Sequence, residues 1–174
     1  MRQKYTFKKA TANDFKLFYI FFKQSVHSQF PQYSIKTQEH FLKKEYDPVS
    51  LSARLKNNNI VIYLACANQK VVGYLVVGVY VGGVCLIIWI AVDPKHQGQG
   101  IASKLLELCE TDLKKKGVHK LHLWTDQENV NFYKNRGYKL LGKIAENYYG
   151  SDDYFFYKSL QKPKESNFLK YPKL

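Results

Sequence analysis

A glycine-rich turn between an apolar stretch and an amphipathic stretch is the feature that most constrains the fold of this chain. Residues 86–92 form a continuous apolar run of strand length, which ends shortly before Pro94. Beyond the turn, apolar residues recur at helical spacing, namely Ala102, Leu105, Leu106, Cys109 and Leu113. The sequence therefore predicts a strand, a turn that contains Gly98 and Gly100, and then a helix.

The predicted turn has the chemistry of an anion-binding site. Gly98 and Gly100 leave main-chain N–H groups uncovered, and the first N–H groups of a helix have no partner within that helix. Because the helix dipole adds partial positive charge at the same place, we expect a ligand with phosphate groups there. The third glycine of the dinucleotide-binding fingerprint and the Gly-Lys-Ser/Thr of phosphate-loop enzymes are both absent from the sequence.

Length and composition favour one folded domain. The chain has 174 residues, of which 45% are hydrophobic and 16% aromatic, which argues against disorder. No apolar stretch approaches the roughly 20 residues of a membrane-spanning helix, and the basic N-terminus lacks the apolar segment of a signal peptide. The cysteines lack the paired spacing of zinc ribbons or redox dithiols. We therefore expect a cytoplasmic protein with no membrane association and no metal site.

The net charge of +13 is compatible with a nucleic-acid surface, an anionic ligand or an acidic substrate. The lysines are scattered along the chain and do not form one block, so a solvated surface is the simpler interpretation. We expect no dedicated nucleic-acid role. A basic nucleic-acid-binding domain is kept as a rival hypothesis, and its affinity would fall steeply with salt.

Apolar periodicity and turn residues divide the rest of the chain into strands and helices. The predicted strands cover residues 5–10, 60–67, 70–79, 86–92, 121–125, 138–145 and 154–159. The predicted helices follow Thr11, cover about 37–57 with an interruption near Pro48, run from the glycine turn to Lys116, and run from Asp126 to Arg136. We therefore predict an α+β (mixed α/β) fold, with a mostly antiparallel mixed sheet of six to seven strands flanked by about four helices. Residues 4–161 would form the domain, and residues 162–174 a basic C-terminal tail.

This order of elements resembles the GNAT superfamily of acyl-CoA-dependent N-acetyltransferases. The family signature Gln/Arg-x-x-Gly-x-Gly/Ala lies between a strand and a helix, as does Gln97-Gly98-Gln99-Gly100-Ile101-Ala102 here. A second motif, an aromatic-tyrosine pair closed by glycine and an aromatic residue, resembles Phe132-Tyr133-Lys134-Asn135-Arg136-Gly137-Tyr138. The resemblance covers about residues 4–160. Asp126 and Asn129 depart from it, because many members have asparagine and alanine there.

The resemblance implies acetyl-CoA as the cosubstrate. Main-chain N–H groups of residues 98–102 would hold its pyrophosphate, and β-type main-chain bonds from Ile90 and Val92 would hold the pantetheine arm. The residues expected to bind the cofactor are Ile90, Ala91, Val92, Gln97, Gly98, Gln99, Gly100, Ile101, Ala102, Asn129 and Lys134. Lys95 and His96 are further candidates for phosphate binding, with solvated surface charge as the alternative.

The resemblance also implies catalytic roles. Tyr133 would be the general acid, because a phenol of pKa about 10 stays protonated and can donate to a thiolate whose parent thiol has a pKa of about 8.5. Without the motif, Tyr133 would be interpreted as a core residue. The main-chain N–H of Val92 would stabilise the oxyanion. His122 is a possible base, and His119, Glu146 and Asp152 are alternatives.

The expected activity is transfer of an acetyl group to a primary amine of a small molecule or of a protein or peptide N-terminus. Tyr148 and Tyr149 would bind the acceptor, because they resemble a late hairpin segment of GNAT enzymes that acetylate protein N-termini; simple packing is the alternative. We expect a monomer or homodimer. A non-catalytic acyl-CoA-binding regulatory module is the alternative function.

Overall fold

The computed structural model describes residues 4–169 and contains a seven-stranded sheet with helices on both faces. The strands are Thr6–Lys9 (β1), Ile60–Ala67 (β2), Lys70–Gly78 (β3), Val84–Val92 (β4), Lys120–Thr125 (β5), Lys139–Ile144 (β6) and Asp153–Ser159 (β7). Their spatial order is β1-β2-β3-β4-β5-β7-β6. Strands β4 and β5 pair in parallel, and the other neighbouring pairs are antiparallel. The predicted mixed, mostly antiparallel α+β sheet is confirmed.

The helices of the described residues are Phe15–Gln29 (α1), Ile35–His40 (α2), Pro48–Lys56 (α3), Ile101–Lys115 (α4), Val130–Lys134 (α5) and Glu165–Phe168 (α6). The helical region expected over 37–57 is interrupted near Pro48 as predicted, because α2 passes into a π-helical turn and Asp47 caps the start of α3. The Asp47 carboxylate accepts the N–H groups of Val49 and Ser50, with Pro48 at the first helical position.

Helix α5 ends two residues before the predicted Arg136. The N–H of Gly137 donates to the carbonyl of Lys134, and the N–H of Tyr138 donates to that of Tyr133. These bonds close the helix and use the positive φ of Gly137.

Helix α6 lies within the segment expected to be a tail. The division at residues 161 and 162 stays a prediction, and residues 170–174 of that tail lie outside the described part. Between residues 4 and 169, no helix has both the length and the apolarity needed to cross a lipid bilayer.

The sheet separates two hydrophobic clusters. One lies on the side of α4 and α5, here called the α4 face, and the other lies on the side of α1 to α3, here called the α1 face. Successive side chains of a strand point to opposite faces. Accordingly, Val92 packs on the α4 face and Ala91 on the α1 face. Ile87 and Trp89 are two residues apart and yet pack on the α4 face and the α1 face respectively, because the register of β4 shifts between them.

Strands β4 and β5 are paired only at their beginnings. Leu86 and His122 form the last pair in the register, and the two strands diverge beyond it. On the other side, β4 carries a bulge, because Val76 pairs with Trp89 and the next residue pairs with Ile87, which leaves Ile88 without a partner. The second half of β4 therefore has an open edge towards β5. We call this gap the splay.

Candidate active site

A cavity of about 1390 Å³ occupies the splay and is lined from both faces of the sheet. On the α4 face, its wall includes Gly98, Gly100, Ile101, Ala102, Ser103, Phe132, Tyr133 and Arg136. On the α1 face, it includes Phe30, Tyr33, Phe41, Tyr46, Trp89, Tyr149 and Asp153. Two ligands that approach from opposite faces can therefore meet in the gap between β4 and β5.

The glycine turn has a backbone that other residues adopt only with strain. Gly98 and Gly100 have φ of +73° and +77°, and Gly100 is the N-cap of α4. A Cβ added at either position would meet no heavy atom within 4 Å, so the space in front of the turn is open. The free N–H groups at the start of α4 border that space. The turn is thus shaped for an anionic ligand.

Side chains hold this turn on both sides. The Gln97 side-chain amide donates to the main-chain oxygen of Val92 at 3.1 Å. The Tyr5 hydroxyl donates to Oε1 of Gln99 at 2.5 Å and lies 3.0 Å from Nδ1 of His96. The turn is therefore connected to the end of β4 and to the residue before β1.

The main chain of β4 presents hydrogen-bonding groups to the splay. The N–H of Asp93 donates to the oxygen of Val72, so the next pair, Val92 with Gly73, is of the non-hydrogen-bonded kind. The N–H and C=O of Val92 therefore point away from β3. The same alternation applies to Ile90, which pairs with Leu75. Both residues thus present main-chain groups to the gap, as the predicted cofactor contact requires.

Arg136 is a positive charge on the α4 face that sequence reasoning used only as a helix end. Its guanidinium lies 3.7 Å from the centroid of the Phe132 ring, donates to the Phe132 oxygen at 2.9 Å, and donates through Nε and Nη2 to the Ser103 hydroxyl. No Asp or Glu of residues 4–169 forms an ion pair with it. In the sequence, the only sign of a role for Arg136 was its position in the second motif. Its contact with Ser103 could not be predicted, because it depends on the packing of α5 against α4.

Tyr133 is buried, with 3% of its surface exposed, and it borders the cavity from α5. Its ring packs against those of Tyr138 and Phe156. Burial raises the pKa of its phenol well above the usual value, and the charge of Asp126 raises it further. Tyr133 is therefore a protonated hydroxyl at neutral pH.

The α1 face of the cavity is mainly aromatic. The ring centroids of Phe30 and Trp89 are 4.7 Å apart, and those of Phe41 and Tyr149 are 4.8 Å apart. Tyr149 has φ of +55°, a left-handed conformation that is uncommon for a residue with a side chain. Tyr148 packs on Trp124 at 5.7 Å between centroids, and it also borders the cavity.

Asp153 is a buried carboxylate in this wall that the sequence analysis missed. It is 8% exposed, and its Oδ2 accepts from the Asn147 side-chain amide at 2.9 Å. Burial raises the pKa of Asp153. The two acids named in advance, Glu146 and Asp152, are exposed, and Asp152 pairs with Lys143 at 2.5 Å. In the sequence, the only sign of a role for Asp153 was its position as an acidic residue at the start of the last strand.

Several predicted site residues lie elsewhere. Lys95, Gln99, His119, His122 and Lys134 do not border the cavity as described for residues 4–169. His122 packs on Phe155 at 5.2 Å, and burial lowers its pKa. Asn129 borders the cavity, with its side-chain amide donating to the Asp126 carboxylate at 2.9 Å. In the described part of the chain, no group of three His, Cys, Asp or Glu residues is arranged to hold a metal ion. The absence of a metal stays a prediction.

Residues 21–138, more than half of the chain, match the acetyltransferase (GNAT) family. The chain belongs to the GNAT family of acetyltransferases. It is therefore an acyltransferase of the family that uses acetyl-CoA, as the motifs at the glycine turn and in α5 predicted.

Solved structures of GNAT proteins share the fold. The PaiA N-acetyltransferase from Thermoplasma acidophilum, in complex with coenzyme A, superposes with a TM-score of 0.73 at 19% identity, over 90% of this chain and 99% of that one. The ribosomal-protein-S18-alanine N-acetyltransferase from Escherichia coli has a TM-score of 0.69 at 21% identity, over 93% and 97%. Ard1 from Thermoplasma volcanium has a TM-score of 0.66 at 16% identity, over 91% of this chain and 99% of that one. At these identities the likeness concerns the fold.

Proposed function

We propose that this GNAT protein transfers the acetyl group of acetyl-CoA to a primary amine, either of a small molecule or of a protein or peptide N-terminus. The observation that carries the proposal is the cavity in the splay. It joins an anion-binding turn on the α4 face to an aromatic wall on the α1 face. A cosubstrate and an acceptor that bind from opposite faces would bring their reacting groups together between β4 and β5.

The residues present fit the cosubstrate. The main-chain N–H groups of residues 98–102 would hold the pyrophosphate, with the open space in front of Gly98 and Gly100 as supporting evidence. The main chain of Ile90 and Val92 would bond the pantetheine arm in the manner of an added strand. Arg136 has no acidic partner among residues 4–169, and its guanidinium would supply a charge for a phosphate group. The cosubstrate itself supplies the thioester.

The chemistry requires a neutral amine, an activated carbonyl and a proton for the departing thiolate. The N–H of Val92 would stabilise charge on the carbonyl oxygen. Tyr133 would give its phenolic proton to the thiolate sulfur, because its raised pKa keeps that proton in place until sulfur takes it. His122 and Lys134, which lie away from the cavity wall, are the least supported of the expected site residues.

Tyr148 and Tyr149 would contact the acceptor. Their rings form part of the aromatic wall. Both residues lie in the connection between β6 and β7, and Tyr149, whose backbone is left-handed, packs its ring against that of Phe41. A peptide N-terminus and a small aromatic amine both suit such a wall. The name of the Escherichia coli neighbour states that it acetylates an alanine of a ribosomal protein, which makes peptides a suitable first set of acceptors.

The test is a turnover assay with a thiol reagent that detects free coenzyme A, combined with mass spectrometry of the products. The acceptors are tyramine, spermidine, lysine, and hexapeptides that begin with alanine, serine or methionine, each compared with its N-acetylated form. We expect coenzyme A release and a product heavier by one acetyl group with at least one free amine. Acetyl-CoA binding without release for every acceptor would support the regulatory module instead.

A further inference from the structure

Asp153 lies at the first position of β7, beside the end of β5. Thr125 and Tyr154 form the last pair of the β5–β7 register, so Asp126, which follows Thr125, lies close to Asp153, which precedes Tyr154, and its charge acts on Asp153. Phe156 packs on the α4 face, and side chains alternate along a strand, so Asp153 points to the α1 face. The Asp153 carboxylate therefore lies at the acceptor side of the cavity.

The surroundings of Asp153 favour contact with a cation. Asp153 is 8% exposed, and the neighbouring Asp126 also borders the cavity. A buried carboxylate beside a second one is stabilised by an added proton or by a cationic ligand. The aromatic rings of Tyr33, Trp89 and Tyr149 line the same wall, and such faces attract ammonium groups.

We propose that Asp153 is the proton acceptor for the ammonium group of the acetyl acceptor, a role that rests on the proposed function. The acceptor binds as R–NH₃⁺ from the α1 face, with its ammonium group against Asp153. One N–H bond breaks, and that proton forms the Asp153 carboxylic acid and later leaves to solvent. The neutral amine then attacks the thioester carbon, and the carbon–sulfur bond breaks.

The remaining proton transfers balance with Tyr133. Tyr133 gives its proton to the departing sulfur, and the second proton that nitrogen loses as the amide forms restores the phenol. The products are the acetylated amine, coenzyme A with a neutral thiol, and one proton in solvent. Asp153 and Tyr133 thus act from the two faces of the sheet on the same reacting centre in the splay.

The titratable groups that face Asp153 come from two other elements. Asp126 follows β5, and its negative charge adds to the effect of burial in raising the pKa of Asp153. Tyr33 lies between α1 and α2, and burial and the charge of Asp153 raise its own pKa. Hydrogen bonds from Asn147, Tyr148 and Ser151 oppose the rise at Asp153. A carboxylate with these neighbours is suited to take up a proton and release it again.

The test compares Asp153→Asn with Glu107→Gln, which neutralises an exposed carboxyl of α4 paired with Lys104, in assays of kcat/KM against pH. The acceptor is the primary amine with the highest turnover in the panel above. For D153N we expect kcat/KM about 100-fold lower at neutral pH. We also expect a rise of about tenfold per pH unit below the amine pKa, because only amine that is already neutral can react. Wild type and E107Q should have a flat profile there, and acetyl-CoA affinity should be unchanged in all three proteins.

The same profile is expected for Asp153→Ser, which replaces D153N if that variant does not fold. Asp153→Glu should regain part of the activity and the flat profile, since it restores a carboxylate. A wild-type rate and profile in D153N or D153S would overturn the assignment while leaving acetyl transfer intact. A loss of activity with no recovery at higher pH would assign Asp153 a structural role and overturn the proposal equally. Absence of coenzyme A release by the wild type would overturn the proposed function first.

Discussion

The side-chain amide of Gln97 donates a hydrogen bond to the main-chain oxygen of Val92, with 3.1 Å between the two atoms. This bond joins the first residue of the glycine turn to the last residue of β4. It uses the carbonyl that Val92 presents to the splay and leaves the N–H of the same residue facing the gap. The anion-binding turn and the open strand edge are therefore held in one fixed relation.

Gln97→Ala should weaken acetyl-CoA binding about fivefold, which corresponds to about 1 kcal/mol for one hydrogen bond. The turn would no longer be tied to β4, so ordering it on binding would cost more free energy. Isothermal titration calorimetry measures the change. Gln24→Ala, an exposed substitution in α1, is the control and should bind like wild type. Equal affinity in Q97A would show that the bond does not position the turn.

Gly100→Asp should bind acetyl-CoA about tenfold more weakly than Gly100→Asn, or about 1.4 kcal/mol. Both substitutions impose the same strained φ of +77°, and the added side chain has open space in either case. They differ in one negative charge at the start of α4, where an anion is expected. Identical affinities, measured on folded variants, would move the phosphate groups away from this turn.

Arg136→Met should reduce acetyl-CoA affinity by about 10- to 100-fold, in line with the loss of a charge-assisted hydrogen bond. The difference in acetyl-CoA affinity between wild type and variant should become smaller as salt is added, because the lost interaction is electrostatic. Arg136→Lys should be intermediate, since lysine keeps the charge without the planar donors. The matched control is Lys104→Met, which removes an exposed charge paired with Glu107 on α4. A similar loss in K104M would mean that general surface charge is responsible.

Tyr133→Phe should lower kcat by about 100-fold, the usual effect of losing a general acid, with acetyl-CoA affinity close to that of wild type. The ring keeps its contacts with Tyr138 and Phe156, so the fold should persist. Steady-state kinetics and circular dichroism check both points. Tyr157→Phe removes a hydroxyl from a strand residue away from the cavity wall and should leave kcat unchanged. Full turnover in Y133F would remove Tyr133 from the acid role.

Asp112 should make stability depend on pH in acid. Burial alone would raise the pKa of its carboxyl, but the bond from the Tyr63 hydroxyl at 2.7 Å and the Lys116 ammonium at 3.1 Å lower it below the usual 3.8. A carboxyl whose pKa is lower in the folded state stabilises the fold above pH 3.8 and loses that contribution as pH falls further. The free energy of unfolding of the wild type should exceed that of Asp112→Asn by about 1 kcal/mol at neutral pH, a small value because the Asp112–Lys116 pair is partly exposed. Urea unfolding at several pH values should show this difference vanishing in acid, whereas a constant difference would contradict it.

The glycine turn was predictable because its signals are local. Gly98 and Gly100 stand between an apolar strand and an amphipathic helix, and the positive φ of both follows from that position. The motif around Tyr133 was equally visible, since its residues are contiguous. The strands were predictable because alternating and continuous apolar residues indicate burial within a few residues of sequence. The break near Pro48, where α3 begins, was predicted. The π-helical turn after α2 was not, and its residue Phe41 packs against Tyr33 and Tyr46, which lie outside the helix.

The amino-acid sequence specified the chemical parts of this protein, namely an anion-binding turn, a tyrosine in the second motif and the order of strands and helices along the chain. Only the tertiary structure brought the Arg136 guanidinium to Ser103 and placed Asp153 close to Asp126. Such relations depend on strand register, a bulge at Ile88 and helix packing between distant segments. These are properties of the whole core, and no local pattern encodes them.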